Sequence, residues 1–235
     1  MISIIIPAHN EQKNLLKLIP LLDALCQDTP AEVLVVLSAA NTEAIGFSSD
    51  KIKVVQCNEN GRAVQMNFGV THAKGTIFAF LHADVLPPKN FLKDIEHTLR
   101  GTYQAGFFSY RFDSASKLLN VNAKFTAKDG IFTGGGDQCL FIEKTVFNQL
   151  GGFDVNQLIM EDFEFFKRMK NKKVKYKIIN NDLLVSARKY ESNSYLRVNM
   201  SNLLLVVLFK MGYPSAKLQT LHNRLLQMPY HTKPE

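Results

Sequence analysis

The chain has 235 residues, 46% of them hydrophobic and 21% charged, with three cysteines. That is enough apolar material for one large core, and Cys26, Cys57 and Cys139 are too few and too far apart for a disulfide framework or a zinc site. The net charge of +7 is uneven: residues 1–163 carry 14 basic and 17 acidic side chains, a balance of −3, and residues 164–235 carry 14 and 4, a balance of +10. This asymmetry points to an anionic partner of the C-terminal third, a nucleic acid, a membrane surface or a phosphorylated substrate, or else to a solvated basic face, which the cations from Lys167 to Lys177 around one helix end fit in part.

In chain order the elements alternate as in a parallel α/β sheet. Ile2 to Ile6 is a continuous β-branched run, the pattern of a strand buried on both faces, and Pro7 is expected to stop it. A strand opening at residue 2 leaves no room for a signal peptide, so the expected location is cytoplasmic. An amphipathic helix near 10–26, strands at 32–37 and 52–55, a helix over 61–73, a strand at 76–81 and a helix over 89–100 complete a nucleotide-binding layer. Beyond Ala105 come strands at 105–112 and 138–143, a helical stretch near 116–127, and helices at 144–150 and 161–169. Two strands near 175–179 and 183–187 then precede a long helix over 194–211 and a last short helix after Pro214. No linker-like tract divides the halves, which makes 1–235 one domain: a first lobe over 1–100, a second over 101–190, and closing helices over 191–235.

Several polar clusters fall where open α/β sheets bind ligands, at strand carboxyl ends. Ala8, His9, Asn10 and Glu11 follow the first strand. In the run from Ile77 to Asp84, extended geometry persisting to the end would put His82 and Asp84 on one side, a carboxylate and an imidazole able to hold a divalent cation against a diphosphate. The bland alternative is that Asp84 caps a turn before Pro87. Glu161, Asp162 and Glu164 open a helix, where the dipole stabilises negative charge; they are either structural or include a general base. The Gly134-Gly135-Gly136 run permits close backbone approach beside Asp137 and Gln138. Arg188 and Lys189, expected to close a strand, are cations suited to a departing diphosphate or to an exposed basic turn.

Together these motifs, in this order, resemble the family 2 inverting glycosyltransferases, within them a bacterial subgroup: IIPAHNE, GRAVQMNFG, FLHADVLPP, GGGDQCLF, LGGFD, MEDFEF and SARKYE. The resemblance implies an α/β A-type glycosyltransferase fold, a Rossmann-like nucleotide half fused to a mixed-sheet acceptor half, and a uridine diphosphate sugar donor. It also implies roles. Pro7, Ala8, His9 and Glu11 would line the nucleoside pocket; Arg62, Gln65, Asn67 and His82 would face the nucleotide; Asp84 would hold Mn²⁺ or Mg²⁺. Asp162 would be the base, ionised at neutral pH by the helix N-terminus. Glu161, Asp137 and Gln138 would lie near acceptor or sugar, and Arg188 near the diphosphate.

The chain departs from that family where Leu37-Ser38-Ala39-Ala40-Asn41 offers no acid to a nucleobase, and where one acid, Asp84, replaces an aspartate triplet. Two alternatives to sugar transfer follow: a non-catalytic nucleotide-sugar-binding protein, supported by Leu37, or a nucleotidyltransferase, disfavoured because no glycine-rich loop with a lysine follows the first strand. The expected partners are a nucleotide sugar and an acceptor of unspecified identity, without nucleic acid. Leu203 to Phe209 is apolar on every side but too short to span a bilayer. Burial between lobes or in a homodimer is the first expectation for it, and peripheral contact with an anionic membrane, at its inner face, the second.

Overall fold

The computed structural model describes residues 1–47 and 49–227. β1 (Ile2–Ala8) is buried along its whole length and is followed by α1 (Gln12–Asp28), β2 (Ala31–Leu37), β3 (Ile52–Gln56), α2 (Arg62–His72) and β4 (Ile77–Phe80). The two-residue β5 (Val85–Leu86), α3 (Phe91–Leu99), β6 (Ala105–Phe112), α4 (Lys117–Lys124), β7 (Phe141–Glu143), α5 (Lys144–Leu150) and α6 (Glu161–Asn171) continue the chain. It closes with β8 (Tyr176–Val185), the short α7 (Arg188–Glu191), α8 (Tyr195–Lys210) and α9 (Ser215–Leu225).

These strands form one eight-stranded mixed sheet in the order β3-β2-β1-β4-β7-β6-β8-β5. The β3-β2-β1-β4 half is parallel, β7 runs antiparallel to both its neighbours, β8 is parallel to β6, and β5 is antiparallel to β8. Both faces are covered, which is why β1 reads as an unbroken apolar run. Its period of two sends Ile4 and Ile6 into a layer with Leu15, Leu18 and Leu22 of α1 and Phe91 of α3. Ile5 goes to the opposite layer with Met66, Phe78, Phe147 and Phe165. There Phe80, Phe147, Phe153 and Phe165 contact one another with ring centroids 4.8–5.7 Å apart, anchoring α5 and α6 to the sheet. Truncating one such ring costs about 3–5 kcal/mol.

Four expectations change. β1 runs through Pro7 to Ala8, paired with Val36 and Leu37. The Ile5 carbonyl accepts from Leu81 N on the β4 side, so the proline faces that side too, two residues on, where β4 has ended and no donor is needed. The two strands near 175–187 are one strand, β8, whose register against β6 shifts between Phe108 and Tyr110. Ser109 Oγ donates to Asp182 and Asn181 to Asp94, so the polar middle that suggested a break is an anchored bulge. Arg188, Lys189 and Tyr190 do not close a strand but form α7. Finally, α8 is not buried all round: Val198, Ser201, Leu205 and Val206 pack inward, while Leu203, Leu204 and Val207 face solvent. Among the described residues no helix is long and apolar enough to cross a membrane.

Candidate active site

The carboxyl ends of β1, β2 and β4 end together, and their connections line a cavity of about 660 Å³ with residues from α2, α7 and α9. Local hydrogen bonds fix these loops. Gln65, on the first turns of α2, donates to the carbonyls of Ala8 and Val36 at 2.9 and 2.8 Å, tying β1 to β2. His9 Nδ1 lies 2.7 Å from Ser38 Oγ. Asn10, Asn41 and Thr42 exchange side-chain to backbone bonds, and Glu43 accepts from Gln12 N at the start of α1. The loop after β2 therefore meets β1 through a serine and two amides.

One cation organises the opposite wall. Arg188, carried in by α7, donates to Glu11 Oε1 at 2.9 Å and to Asp84 Oδ2 at 2.9 Å. Burial pushes the Glu11 carboxyl above its usual range, and the Arg188 charge opposes that only in part. β4 stops at Phe80, and the His82 carbonyl accepts from Val85 N to turn the chain into β5. Extended geometry does not persist through His82-Ala83-Asp84, and the two side chains take different partners. Asp84 meets Arg188; His82 Nδ1 lies 3.6 Å from Asp137 Oδ1, an ion-pair rather than a hydrogen-bond separation.

Arg62, His82 and Asp137 also line a second cavity, of about 590 Å³, which adjoins the first and continues between the Phe125–Gln138 segment, α6 and α8. Gly136 is packed between the groups at the junction. A Cβ built on it would fall 2.3 Å from His82 Cε1 and 2.6 Å from Asp162 Oδ2, so any side chain there would displace both. Gln138 is buried and holds that loop, accepting from Gly134 N and donating to the Thr126 carbonyl. At the start of α6, Glu161 is 1% exposed and faces Arg62 with 2.8 Å between Oε1 and Nε. Among the described residues Oε1 accepts no hydrogen bond, so the guanidinium supplies charge there without an aimed N–H. Of four non-glycine residues with positive φ among those described, Asn10, Cys139 and Met160 adjoin these polar groups, a concentration of backbone strain typical of functional sites.

The electrostatics separate two neighbouring aspartates. Burial, and then the charge of adjacent Glu161, pushes Asp162 up to about 7, more than His82 and Arg62 offset. The direction runs against the expectation drawn from the helix N-terminus: loss of water and a like charge outweigh the dipole. Asp137 is also pushed up by burial, but its pairing with His82, then Lys189 and Arg62, prevails and holds it at about 2. The His82 imidazole is raised despite burial, because Asp137 and Asp162 face it.

The structure thus brings Pro7, Ala8, His9, Glu11, Arg62, Gln65, His82, Asp84, Asp137 and Arg188 to one cavity and Asp162 and Gln138 to the adjoining one. Glu161 is buried behind Arg62. Asn67 stands apart: its carboxamide bonds the backbone N–H and carbonyl of Phe153 at 2.9 and 2.8 Å, clamping the Gly152 turn. Sequence reasoning missed Ser38, Tyr110, Phe112 and the residues of α9, His222 among them, all of which line the cavities. Only contacts across the fold place them there, and no local motif marks them.

Residues 3–134 match the family model for glycosyl transferase family 2. No curated protein matches the chain. Among solved structures, Staphylococcus aureus TarS residues 1–349 in complex with UDP superposes at a TM-score of 0.61, with 16% identity over 95% of this chain and 70% of that one. The mannosyltransferase PcManGT from Pyrobaculum calidifontis, in complex with GDP-Man and Mn²⁺, gives 0.62 and 20% over 95% and 68%. The catalytic domain of Drosophila beta1,4galactosyltransferase 7 with xylobiose gives 0.51 and 16% over 77% and 68%. The fold is the A-type glycosyltransferase fold.

Proposed function

The chain belongs to glycosyl transferase family 2, and on that premise we propose that it transfers a sugar with inversion from a uridine diphosphate sugar to an acceptor hydroxyl, with Asp162 as general base. The observation that carries this reading is the junction of the two cavities: Asp162, its carboxyl pushed up to about 7, faces the donor-side groups across Gly136. A base with a pKa near working pH combines ionisation with proton affinity, which favours proton transfer. UDP in the TarS complex and UDP-GlcNAc in a second TarS complex support the donor class.

In this mechanism Pro7, Ala8, His9 and Glu11 contact the nucleoside, and Arg62 and Gln65 shape the floor beside it. Asp162 takes the proton of the acceptor hydroxyl as its oxygen bonds to the anomeric carbon, while the bond from that carbon to the diphosphate breaks on the opposite side. Arg188 and Lys189 receive the departing negative charge. Asp137 keeps His82 in place and, with Gln138, fixes the loop over the sugar. Residues 1–100 serve the nucleotide, and residues 101–190 serve the acceptor while lending Arg188 and Lys189 to the diphosphate.

The residues fit a divalent cation that would need one protein carboxylate beside a diphosphate. Asp84 is a cavity-lining carboxylate at the β4–β5 turn, and among the described residues no three His, Cys, Asp or Glu side chains group into a protein-only cage. Mn²⁺ accompanies GDP-Man in the PcManGT complex. Asp84 would hold Mn²⁺ or Mg²⁺, which when bound neutralises the leaving diphosphate.

A thermal-shift screen of nucleotide sugars with and without Mn²⁺ tests this reading. A ligand that binds the native state raises the midpoint, so a uridine diphosphate sugar should raise it more with Mn²⁺ present. A shift with guanosine compounds alone would overturn the donor assignment. No shift with any nucleotide sugar would overturn the reading itself.

A further inference from the structure

The most unusual surface of this molecule is the outward side of α8. Leu196, Met200, Leu203, Leu204, Val207 and Met211 are exposed, from 37% for Leu203 to 76% for Met211. At 100° per residue they fall within an arc of roughly 100°, opposite the side that packs inward through Val198, Leu205 and Val206. An exposed stripe of four turns is far from the scattered single apolar residues of an ordinary surface. α4 lies alongside, joined through Asn122 Nδ2 to Asn199 Oδ1 at 2.7 Å and Tyr195 OH to Asn122 Oδ1 at 2.7 Å. On its outer side Leu118 and Val121, with Phe125 one turn on, are 52–70% exposed, and their spacing of three and four residues puts them on one face, so that both neighbouring helices carry exposed apolar residues.

Charge decides what covers this face. Lys117 and Lys124 flank the α4 residues, and Arg197 and Lys210 flank the α8 stripe. No aspartate or glutamate occurs in α4, α8 or α9. Two copies of the chain meeting here would bring like charges together with no acid to balance them. An anionic bilayer satisfies both features, apolar side chains at the acyl boundary and cations at the headgroups.

We propose that the α4–α8 face docks on the surface of an anionic lipid bilayer. The cavity containing Asp162 is lined by Phe125, Asn199 and Asn202 on this side, so docking brings its mouth to headgroup depth. Given the proposed sugar transfer, the acceptor hydroxyl is then one presented at the membrane surface.

Co-sedimentation of the full chain with phosphatidylcholine vesicles, with and without phosphatidylglycerol, tests docking without any transfer assay. Binding should require phosphatidylglycerol and weaken with salt, since a Debye length of ~10 Å at 0.1 M shrinks to ~3 Å at 1 M. A Met200→Glu, Val207→Glu double variant should lose ~10-fold or more of the binding, because it puts two acids on the apolar stripe. Leu16→Glu, at an exposed apolar position on α1, should bind as the parent does. Circular dichroism reports whether the variants are folded, and calorimetric titration of uridine diphosphate on the parent reports separately whether the donor reading holds, independently of lipid. If the double variant is unfolded, Lys117→Gln with Lys124→Gln should instead flatten the salt dependence. No binding to phosphatidylglycerol vesicles at low salt would overturn the proposal. So would binding unchanged in the double variant, or a parent dimer that becomes monomeric in it, which would give the face to a second copy.

Discussion

The two sides of the central cavity handle their carboxylates in opposite ways. Beside β1 and β4, Glu11 and Asp84 share one cation, Arg188, at 2.9 Å from each. Beside α6, Glu161, Asp162 and Asp137 crowd around Arg62 and His82, and Arg62 is 47% exposed. On the β1 and β4 side both carboxylates line the cavity, where a ligand's cation can reach the pair that Arg188 bridges. Beside α6 burial raises both aspartates; the charge of Glu161 adds to the rise of Asp162, to about 7, whereas pairing with His82 and then Lys189 holds Asp137 at about 2. The same residue type thus becomes a binding group on one side and the proposed base on the other, by environment alone.

Substitutions that act on one side only test this contrast. The largest effect is expected for Asp162→Asn, which keeps shape and removes basicity: transfer should fall ~100-fold or more while calorimetric donor affinity is retained. Gly136→Ala places a methyl against His82 and Asp162. Because an ångström of misplacement can cost about 100-fold, turnover should drop by up to that factor with the nucleotide affinity little changed. On the other side, Arg188→Gln removes the shared cation, so nucleotide-sugar affinity should fall ~10-fold or more. Asp84→Ala should abolish the dependence of that affinity on Mn²⁺.

The smallest effect is on stability. The folded-state pKa of Asp162, about 7, lies above the ordinary value of 3.8 that it takes in the unfolded chain, so the native state binds the extra proton and stability declines as pH rises between the two. Asp162→Asn removes that decline. Its thermal midpoint should therefore gain on the parent's progressively from pH 4 to pH 7 and hold constant above.

The sequence made the parallel half legible because strands buried on both faces, such as Ile2 to Ile6, are written as continuous apolar runs, and glycines punctuate the helices between them. The mixed half was harder. β8 carries Asn180, Asn181 and Asp182 in its middle, and a bulge held by Asn181 and Asp182 looks like a loop in a linear reading. α7 is four residues long, too short for any periodicity to declare it. At the candidate site the polar clusters at strand ends were visible, but their pairings were not. The divergence of His82 from Asp84 depends on where β4 stops, and the clamp of Asn67 on Phe153 spans 86 positions. The rise of the Asp162 pKa was not legible, because the sequence shows a helix start and hides the burial that acts against it.

The most direct measurement is a pH titration of the side-chain carboxyl carbons by NMR, on the parent and on Asp162→Asn, with no substrate required. The contrast between the two aspartates predicts one carboxyl with a midpoint near 7 that is missing from the variant, and another, from Asp137, still ionised at pH 3, below its ordinary value of 3.8 and above its folded value of about 2. A spectrum in which no carboxyl titrates above the ordinary range, or in which the high midpoint survives Asp162→Asn, would contradict it.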